Sequence, residues 1–275
     1  MGFAPDGAGG TALATRAHEG PLVVQRPFHP EGRAVPHVYL LHPPGGLVGG
    51  DELSIDVSVA RDAHALITTP AATKVYRTRG PVASQTQRLR VAAGATLEWL
   101  PQELILHDGC AAELGTEVWL APGARFVGVD ALCFGLPARG ETFAAGRCRQ
   151  RFEVWRDHPS GLASPVVIER GRFDAGDAVQ EAAWGLGGAR VHALFIAAPA
   201  PPELASLLPL LRAAGERLPA PDRGGVTVVS DGGALVGRYL GASTERARRY
   251  LQELWTIIRP ALLQRAAIPP RIWAT

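Results

Sequence analysis

Apolar and polar residues alternate along much of the first two thirds of the chain. Between Leu53 and Val59 every second residue is apolar and the residues between them are Ser or Asp, and a similar alternation recurs around Leu89 and Val91. A period of two is typical of β-strands with one buried face. Short segments rich in Gly, Ala, Asp and Pro separate these runs, so we expect many short strands joined by tight turns.

One strand–turn–strand pattern occurs three times. The segments VARDAHALITTP, VAAGATLEWLPQ and LAPGARFVGVDA begin at Val59, Val91 and Leu120, about 30 residues apart. Each ends a strand with Val or Leu followed by Ala, turns through Asp or Gly, returns to Ala and begins another strand. Such a repeat is compatible with the stacked coils of a β-solenoid and with a regular two-layer β-sandwich. We favour a mostly β fold with a stacked two-layer, β-helix-like body.

The pattern changes to helical spacing near the C-terminal end. ELASLLPLLRAAGERL has leucines on one helical face, and Pro209 within it is expected to kink or split the helix. VTVVSDGGALVGRYL predicts a β-hairpin with an Asp-Gly turn. A second helix is expected to begin after an N-cap at Ser243, and Pro260 to end or bend it. About two helices are therefore predicted near the C-terminus.

Composition narrows the class of protein. The 275 residues carry a formal net charge of +2 and are 47% hydrophobic, which suits a substantial core and lacks the basic excess of a nucleic-acid-binding protein. No apolar run is long enough to span a bilayer, and the N-terminus lacks the features of a signal peptide. We expect a cytoplasmic protein with a single domain, 1–275, in which a β body (11–200) precedes a helix, a hairpin and a helix (202–263).

HPPGGLVGGD, from His42 to Asp51, raises the question of phosphate binding. A P-loop requires Lys and Ser or Thr after its last glycine and then a helix, but Asp51 and Glu52 follow here and lead into a strand. Two carboxylates at this point would repel a phosphate. The segment is therefore predicted to be a tight strand connection, whose glycines permit close backbone packing and whose ends, His42 and Asp51, face each other.

Three other segments contain candidate functional groups. TTPAATKVYR contains Lys74, the only lysine in the sequence, and is expected to form a positively charged edge. EWLPQE contains two acids, Glu98 and Glu103, but no arrangement of Ser, Cys and His that would indicate nucleophilic catalysis accompanies it. LHDGC places three potential nickel ligands within one turn: His107, Asp108 and Cys110.

The order of these motifs resembles that of the urease accessory proteins called UreD, or UreH in some organisms. GPLVVQRPFHPEG, HPPGGLVGGD, TTPAATKVYR, EWLPQELI and the closing RPALLQRAAIPPRIW follow one another as in that family, across residues 11–275. Met1 falls inside the first strand expected of the family, which indicates a truncated or misassigned start. The matching motif positions are His42, Pro43, Pro44, Gly45, Gly46, Gly49, Gly50, Asp51, Lys74, Tyr76, Arg77, Trp99 and Pro101.

The resemblance implies a scaffold rather than an enzyme. It implies binding of the urease apoprotein subunits and of UreF, recruitment of the GTPase UreG through UreF, and an indirect link to the nickel donor UreE. Nickel would be handled transiently, with no tightly bound cofactor and with neither nucleic acid nor membrane as a partner. The two C-terminal helices are expected to be docking elements for UreF.

The resemblance also implies a passage for nickel, and several acids are candidates to line it. These are Asp51, Glu52, Glu98, Glu103 and Glu141. Two alternatives stay open from the residues themselves. One is a direct nickel-binding metallochaperone that uses the cluster in LHDGC, and the other is a Gly-loop ligand-binding enzyme that uses Asp51, Glu98 or Glu103.

Overall fold

A computed structural model describes residues 1–158 and 161–274 of the protein, and within that range eighteen strands form two sheets. The strands of the first sheet are β1 (Gly2–Pro5), β2 (Thr11–Thr15), β6 (Glu52–Val59), β9 (Ala83–Val91), β12 (Cys110–Leu120), β14 (Gly146–Asp157) and β15 (Ala163–Asp174). The strands of the second sheet are β3 (Val23–Val24), β4 (His37–Leu41), β5 (Gly46–Leu47), β7 (His64–Thr68), β8 (Thr73–Val75), β10 (Thr96–Leu100), β11 (Leu104–Leu106), β13 (Arg125–Phe134), β16 (Val191–Ala198), β17 (Arg223–Val229) and β18 (Ala234–Gly241).

Successive stretches of chain form stacked coils. Each coil places a long strand in the first sheet, turns into the second sheet, and in the earlier coils adds a short strand, as in β6–β7–β8 and β9–β10–β11. Equivalent strands pair in parallel, β6 with β9 and β9 with β12 in one sheet, and β7 with β10 and β10 with β13 in the other. The body is a β-solenoid of about 4 turns, so the β-helix-like prediction is confirmed.

The three repeated segments are the same corner of three coils. Val59, Val91 and Leu120 lie side by side at the end of the long strands. Each corner then requires one residue in the left-handed backbone conformation, and it is taken by Asp62 (φ 61°) or by Gly94 and Gly123 (φ 71° and 75°). Gly and Asp are the residue types that adopt this conformation at low cost, which explains why only these two alternate at the turn of the repeat.

Three α-helices complete the described part of the chain: α1 (Ala178–Glu181), α2 (Leu204–Glu216) and α3 (Thr244–Leu263), with 3₁₀ turns at Pro137–Arg139 and Arg271–Ala274. Helices α2 and α3 and the β17–β18 hairpin confirm the C-terminal prediction, whereas the four-residue α1 was not predicted. Ser243 caps α3 by accepting a hydrogen bond from the backbone N–H of Arg246 at 3.3 Å. Pro260 lies inside α3, which continues to Leu263 because the residues beyond the proline are buried in the core.

The two helices extend the body on the outer side of the second sheet. Leu211 of α2 and Tyr250, Leu254 and Ile258 of α3 belong to one apolar cluster with Phe195 of β16. Among the described helices, none is both long enough and apolar enough to cross a membrane.

Candidate functional site: a polar cavity between the sheets

The inner face of the first sheet is apolar near its ends and polar at its centre. Val57, Leu89 and Val118 form one buried apolar row across neighbouring strands. The central rows contain amides and a hydroxyl group instead, from Gln85, Gln87, Thr116 and Gln150. The Thr116 hydroxyl donates a hydrogen bond to Oε1 of Gln87 at 2.8 Å, so these polar groups bond across strands.

A cavity of about 150 Å³ lies against these polar rows. Gln85, Gln87 and Thr116 line one side of it. The residues of the second sheet and its connections that line it include His42, Gly45, Lys74, Trp99, Pro101 and Asp130. One water molecule needs roughly 10–15 Å³ of such space, so the cavity has room for several. Five of the family-motif residues therefore meet at one interior cavity, although they are far apart in the sequence.

Asp130 supplies a carboxyl group to the cavity wall. It lies on β13, and its Oδ2 accepts a hydrogen bond from the side-chain amide of Gln150 on β14. Burial raises the pKa of the Asp130 carboxyl above its ordinary value, although the bonds from Gln150 and from the backbone of Ala131 oppose the shift. Burial makes the negative charge of this carboxylate costly, so a cation beside it would be stabilising.

His42 lines the same cavity and has an unsatisfied ring nitrogen. Its Nδ1 is buried and has no hydrogen-bond partner among the described residues. Burial lowers the pKa of the His42 imidazole, and the nearby Asp51 carboxylate only partly opposes that shift. The ring is therefore neutral at physiological pH and able to act as a donor ligand.

The glycine-rich segment brings its chain unusually close to the neighbouring coil. Gly46 begins β5, which pairs with β8, and a Cβ at Gly46 would lie 2.6 Å from the ring of Tyr76 and 2.7 Å from the carbonyl oxygen of Lys74. A Cβ at Gly49 would collide with the Thr78 side chain. The prediction of a tight strand connection is therefore supported by the packing, and the motif contacts the TKVYR motif directly.

The two acids at the end of this segment have different surroundings. Asp51 closes its own loop, because its Oδ2 accepts a hydrogen bond from the backbone N–H of Val48 at 2.9 Å. Glu52 is exposed at the start of β6. Neither carboxylate lines the polar cavity.

The residues of the TKVYR motif lie partly at the cavity and partly at the surface. Lys74 lines the cavity. The Tyr76 ring lies over the His107 ring with centroids 5.2 Å apart, and the exposed Arg77 guanidinium is 3.4 Å from Oδ2 of Asp108. The cationic edge thus contains an internal ion pair at Arg77.

Glu98 lies under helix α3 rather than in the cavity. Its fully buried carboxylate accepts hydrogen bonds from Nε2 of His64 at 2.8 Å, from Nε1 of Trp255 at 2.7 Å and from the Arg259 guanidinium at 2.9–3.2 Å. Burial alone would raise the pKa of Glu98, but these partners outweigh it and hold the pKa well below its usual range. The Arg259 guanidinium also pairs with Glu31 at 2.6 Å. This arrangement attaches α3 to the solenoid and leaves Glu98 fully occupied.

The remaining acidic candidates are distributed around the molecule. Glu103 is half-buried in a groove below α3, beside Leu251 and Trp255. Glu141 is exposed, and its backbone pairs with Leu136 across a short turn. The five predicted acids are therefore not brought to one place.

The cluster His107, Asp108 and Cys110 does not form a metal site. The Asp108 Oδ1 accepts hydrogen bonds from the backbone N–H groups of Ala144 and Ala145 at 2.8 and 2.7 Å. Burial raises the pKa of the Cys110 thiol to about 12, so it is not a thiolate. No group of three His, Cys, Asp or Glu side chains in residues 1–158 and 161–274 is placed to hold a metal ion. Proximity in the sequence wrongly predicted a metal site, because the Asp108 carboxylate binds backbone N–H groups of a neighbouring loop.

Two surface depressions share residues with the cavity. One shares Leu22, Leu40 and Ile55 with it and is also lined by Glu52. The groove below α3 shares Pro101 and Gln102 with it and is also lined by Glu103. Two of the predicted acids therefore lie in depressions that adjoin the cavity on different sides.

Sequence reasoning missed the polar rows and Asp130. A signal was present in β9, where the inward positions Gln85 and Gln87 precede the expected apolar Leu89 and Val91. A polar interruption of an inward apolar series indicates a cavity or a buried hydrogen-bond network. Asp130 carried no such signal, because only the pairing of β13 with its neighbours defines which way it faces.

The comparisons with known proteins agree on one family. The model of the UreD urease accessory protein family matches residues 1–274. A urease accessory protein UreD from Azoarcus sp. is 43% identical over 275 residues, covering 100% of this chain and 92% of the relative. A protein of the same name from Dechloromonas aromatica is 45% identical, covering 100% and 93%, and one from Pseudomonas putida is 43% identical, covering 98% and 91%.

Proposed function

Because this chain belongs to the UreD family of urease accessory proteins, it has a role in urease maturation, and we propose that it acts as a scaffold on which nickel enters apo-urease. The scaffold binds the urease apoprotein subunits and UreF, and UreG is recruited through UreF for GTP-dependent insertion. UreE supplies nickel indirectly. The family is one of accessory proteins, so the alternative of a Gly-loop enzyme is set aside.

The polar cavity is the observation that carries the nickel part of this proposal. It adjoins depressions lined by Glu52 and by Glu103, so a route for a hydrated cation would lead from one acid to the other past Asp130. Amide oxygens, a carboxylate and a neutral imidazole are donors that Ni²⁺ accepts. The wall offers these through Gln85, Gln87, Asp130 and His42.

The same wall disfavours long residence of a cation. The Lys74 ammonium lines the cavity and repels a divalent ion near it. Among the described residues that line the cavity, Asp130 is the only acidic one. A stable site for a divalent ion commonly needs more than one strong ligand. These features support transit rather than storage, which is why we favour a passage over a direct metallochaperone.

The scaffold part of the proposal is supported by exposed apolar side chains. Trp184, Leu162 and Leu210 are 76%, 73% and 56% exposed. Tryptophan in particular is enriched among the residues that contribute most to protein–protein binding. Leu210 lies on α2, one of the two helices proposed to contact UreF.

The experiment is urease activation with Asp130→Asn. Urease subunits are co-expressed with UreE, UreF, UreG and either the wild-type chain, this variant, or no chain. Asparagine keeps the size of the side chain and removes the charge, so complex assembly should be unchanged. We expect urease activity and nickel content to fall at least roughly tenfold, because the carboxylate that lowers the barrier for the cation is absent.

Asp56→Asn is the matched control, because it removes an exposed acid on the outer face of the first sheet. It should leave activation unchanged. Full activation with Asp130→Asn would disprove the route past Asp130. Full activation without any chain would disprove the scaffold itself.

A further inference from the structure

Four arginines lie side by side on the outer face of the first sheet. Arg149 and Arg151 of β14 lie directly opposite Arg172 and Arg170 of β15, and all four side chains are exposed. Adjacent strands are about 5 Å apart and alternate residues of one strand about 7 Å apart, so the four guanidinium groups share one small area. These four residues are called the arginine block below.

The arginine block is unfavourable for the fold itself. Like charges directly opposite each other on neighbouring strands are destabilising, and two such pairs are adjacent here. Three members are partly neutralised by one carboxylate each, in the pairs Arg151–Glu117, Arg170–Glu153 and Arg172–Asp174. Arg149 has no carboxylate within 4.0 Å among residues 1–158 and 161–274. The fold therefore tolerates a local excess of positive charge that its own packing does not require.

The block also keeps many hydrogen-bond donors free. A guanidinium carries five N–H groups, and none of the three ion pairs uses more than two of them. Hydrogen bonds between guanidinium groups and carboxylates are among the strongest that side chains form. A ligand that carries several carboxylates would therefore neutralise the block and satisfy its donors together.

An open depression of about 540 Å³ lies at the block. Gly115 forms part of its floor, since a Cβ at that position would be 3.7 Å from Nη2 of Arg151. Ser84 and Thr86 add hydroxyl groups to the wall, and Glu113 is the only acid among the described residues that line it. All four arginines line the depression, so it is a cationic recess with room for several acidic groups.

The surroundings favour an acidic protein segment over a single phosphate. Strands β12 and β14 are paired on both sides, so their backbone N–H groups cannot form the compact cradle that is typical of phosphate sites. On the same face Trp119 and Trp155 stack with ring centroids 5.7 Å apart, and both are partly exposed. Trp and Arg are enriched among the residues that contribute most to protein–protein binding.

We propose that the outer face of the first sheet is a docking surface for an acidic segment of a partner protein, whose carboxylates bind the arginine block. An extended segment with an acid at every second position fits best, because its side chains repeat at the same spacing of about 7 Å as Arg149 and Arg151. The proposal does not depend on the nickel route, so the Asp130→Asn experiment and the variants below succeed or fail separately.

Peptide binding to the purified full-length chain tests the proposal. The probe is a fluorescently labelled synthetic peptide that alternates Glu and Ser, followed by anisotropy at low ionic strength, where exposed charges are least screened. Arg149→Gln with Arg172→Gln should weaken binding roughly tenfold, because two charged contacts are lost. A peptide with Gln in place of Glu should not bind.

Arg61→Gln with Arg33→Gln is the matched control. Arg61 is exposed and, like Arg149, has no carboxylate within 4.0 Å in the described part of the chain. Arg33 is exposed and, like Arg172, pairs with one aspartate. Both double variants change the net charge equally, so only the location of the lost charge differs. Equal weakening by both, or no binding of the Glu peptide to the wild type, would overturn the proposal.

Competition distinguishes a docking surface from a small-anion site. Inorganic phosphate at matched ionic strength should displace the peptide no better than chloride does, because a single phosphate cannot reach all four arginines. Stronger displacement by phosphate would identify the block as a site for small anions and overturn the docking proposal.

Stability distinguishes a docking role from a structural one. Arg149→Gln should not lower the melting temperature, because it relieves repulsion from Arg172 on the neighbouring strand. A clear loss of stability in this variant would show that the fold itself requires Arg149, and would overturn the proposal.

Discussion

At the scale of single residues, the glycine-rich segment is explained by close approach between coils. Gly46 and Gly49 lie where a Cβ would collide with the TKVYR motif and with Thr78, while Gly45 and Gly50 adopt positive φ values of 79° and 95°. Two different physical requirements, contact and backbone conformation, thus account for four glycines in ten residues. Asp51 holds the end of this loop.

Gly46→Ala should therefore be destabilising. The new Cβ would be 2.7 Å from the carbonyl oxygen of Lys74, which is backbone and cannot move aside easily. We expect a loss of about 1–3 kcal/mol in the free energy of unfolding, the usual cost of overpacking, measured by chemical denaturation. Gly225→Ala is the control, because its Cβ meets open space, and its stability should be within about 0.5 kcal/mol of the wild type. Equal stability of the two variants would show that the coils are not in tight contact.

At the scale of elements, helix α3 is joined to the solenoid through Arg259, which forms buried ion pairs with Glu98 and Glu31. Arg259 and Glu98 are both fully buried, and His64 and Trp255 complete the bonds of the carboxylate. A buried charge without its partner is far more costly than the intact pair is favourable. The position of α3, and of the UreF-binding surface proposed for it, therefore depends on Glu98.

Glu98→Gln should lower the free energy of unfolding by about 1–3 kcal/mol, because it removes a fully buried carboxylate charge that accepts several hydrogen bonds and leaves Glu31 as the remaining carboxylate partner of Arg259. Glu103→Gln, which changes a half-buried acid of the same coil, should cost far less. The comparison is made by thermal or chemical denaturation at neutral pH. A similar stability of both variants would mean that Glu98 does not anchor α3.

The pH dependence of this effect follows from the direction of the pKa shift. The pKa of Glu98 is lowered in the folded protein, so its contribution to stability is present above the ordinary value of 4.5 and is lost as the pH falls through the folded pKa of about 2. The difference in the free energy of unfolding between the wild type and Glu98→Gln should therefore shrink as the pH falls from 4.5 to about 2.

At the scale of the whole molecule, the helices and the β body share one core. The apolar cluster below α2 and α3 includes Val127 of β13, Phe195 of β16 and Tyr239 of β18 together with the buried helix residues. Helices α2 and α3 bury their apolar faces against the second sheet, so they cannot readily separate from the β body. This supports the predicted single domain, which stays a prediction.

Unfolding should therefore be cooperative across the two parts. In amide hydrogen exchange at rising denaturant, protection of α3 and of β13 should be lost together, because neither can open without exposing the apolar surface that they share. Loss of protection in α3 well before β13 would show that the helical layer is a separate unit.

The sequence by itself determined the local structure and the family. Alternation predicted the long strands, the repeat predicted the turn through Asp or Gly at the coil corner, and helical spacing with Ser243 predicted α3 and its cap, because each depends on residues close together in the chain. The tertiary structure decided what meets across the interior. Glu98 contacts Arg259, 161 residues away, and the polar cavity at Asp130 exists only where inward positions from both sheets face each other. Such contacts depend on strand register and layer packing, which no local pattern specifies. Acids that look alike in the sequence therefore have different roles: Asp51 closes its own loop, Glu98 binds Arg259 of α3, and Asp130 lines the cavity.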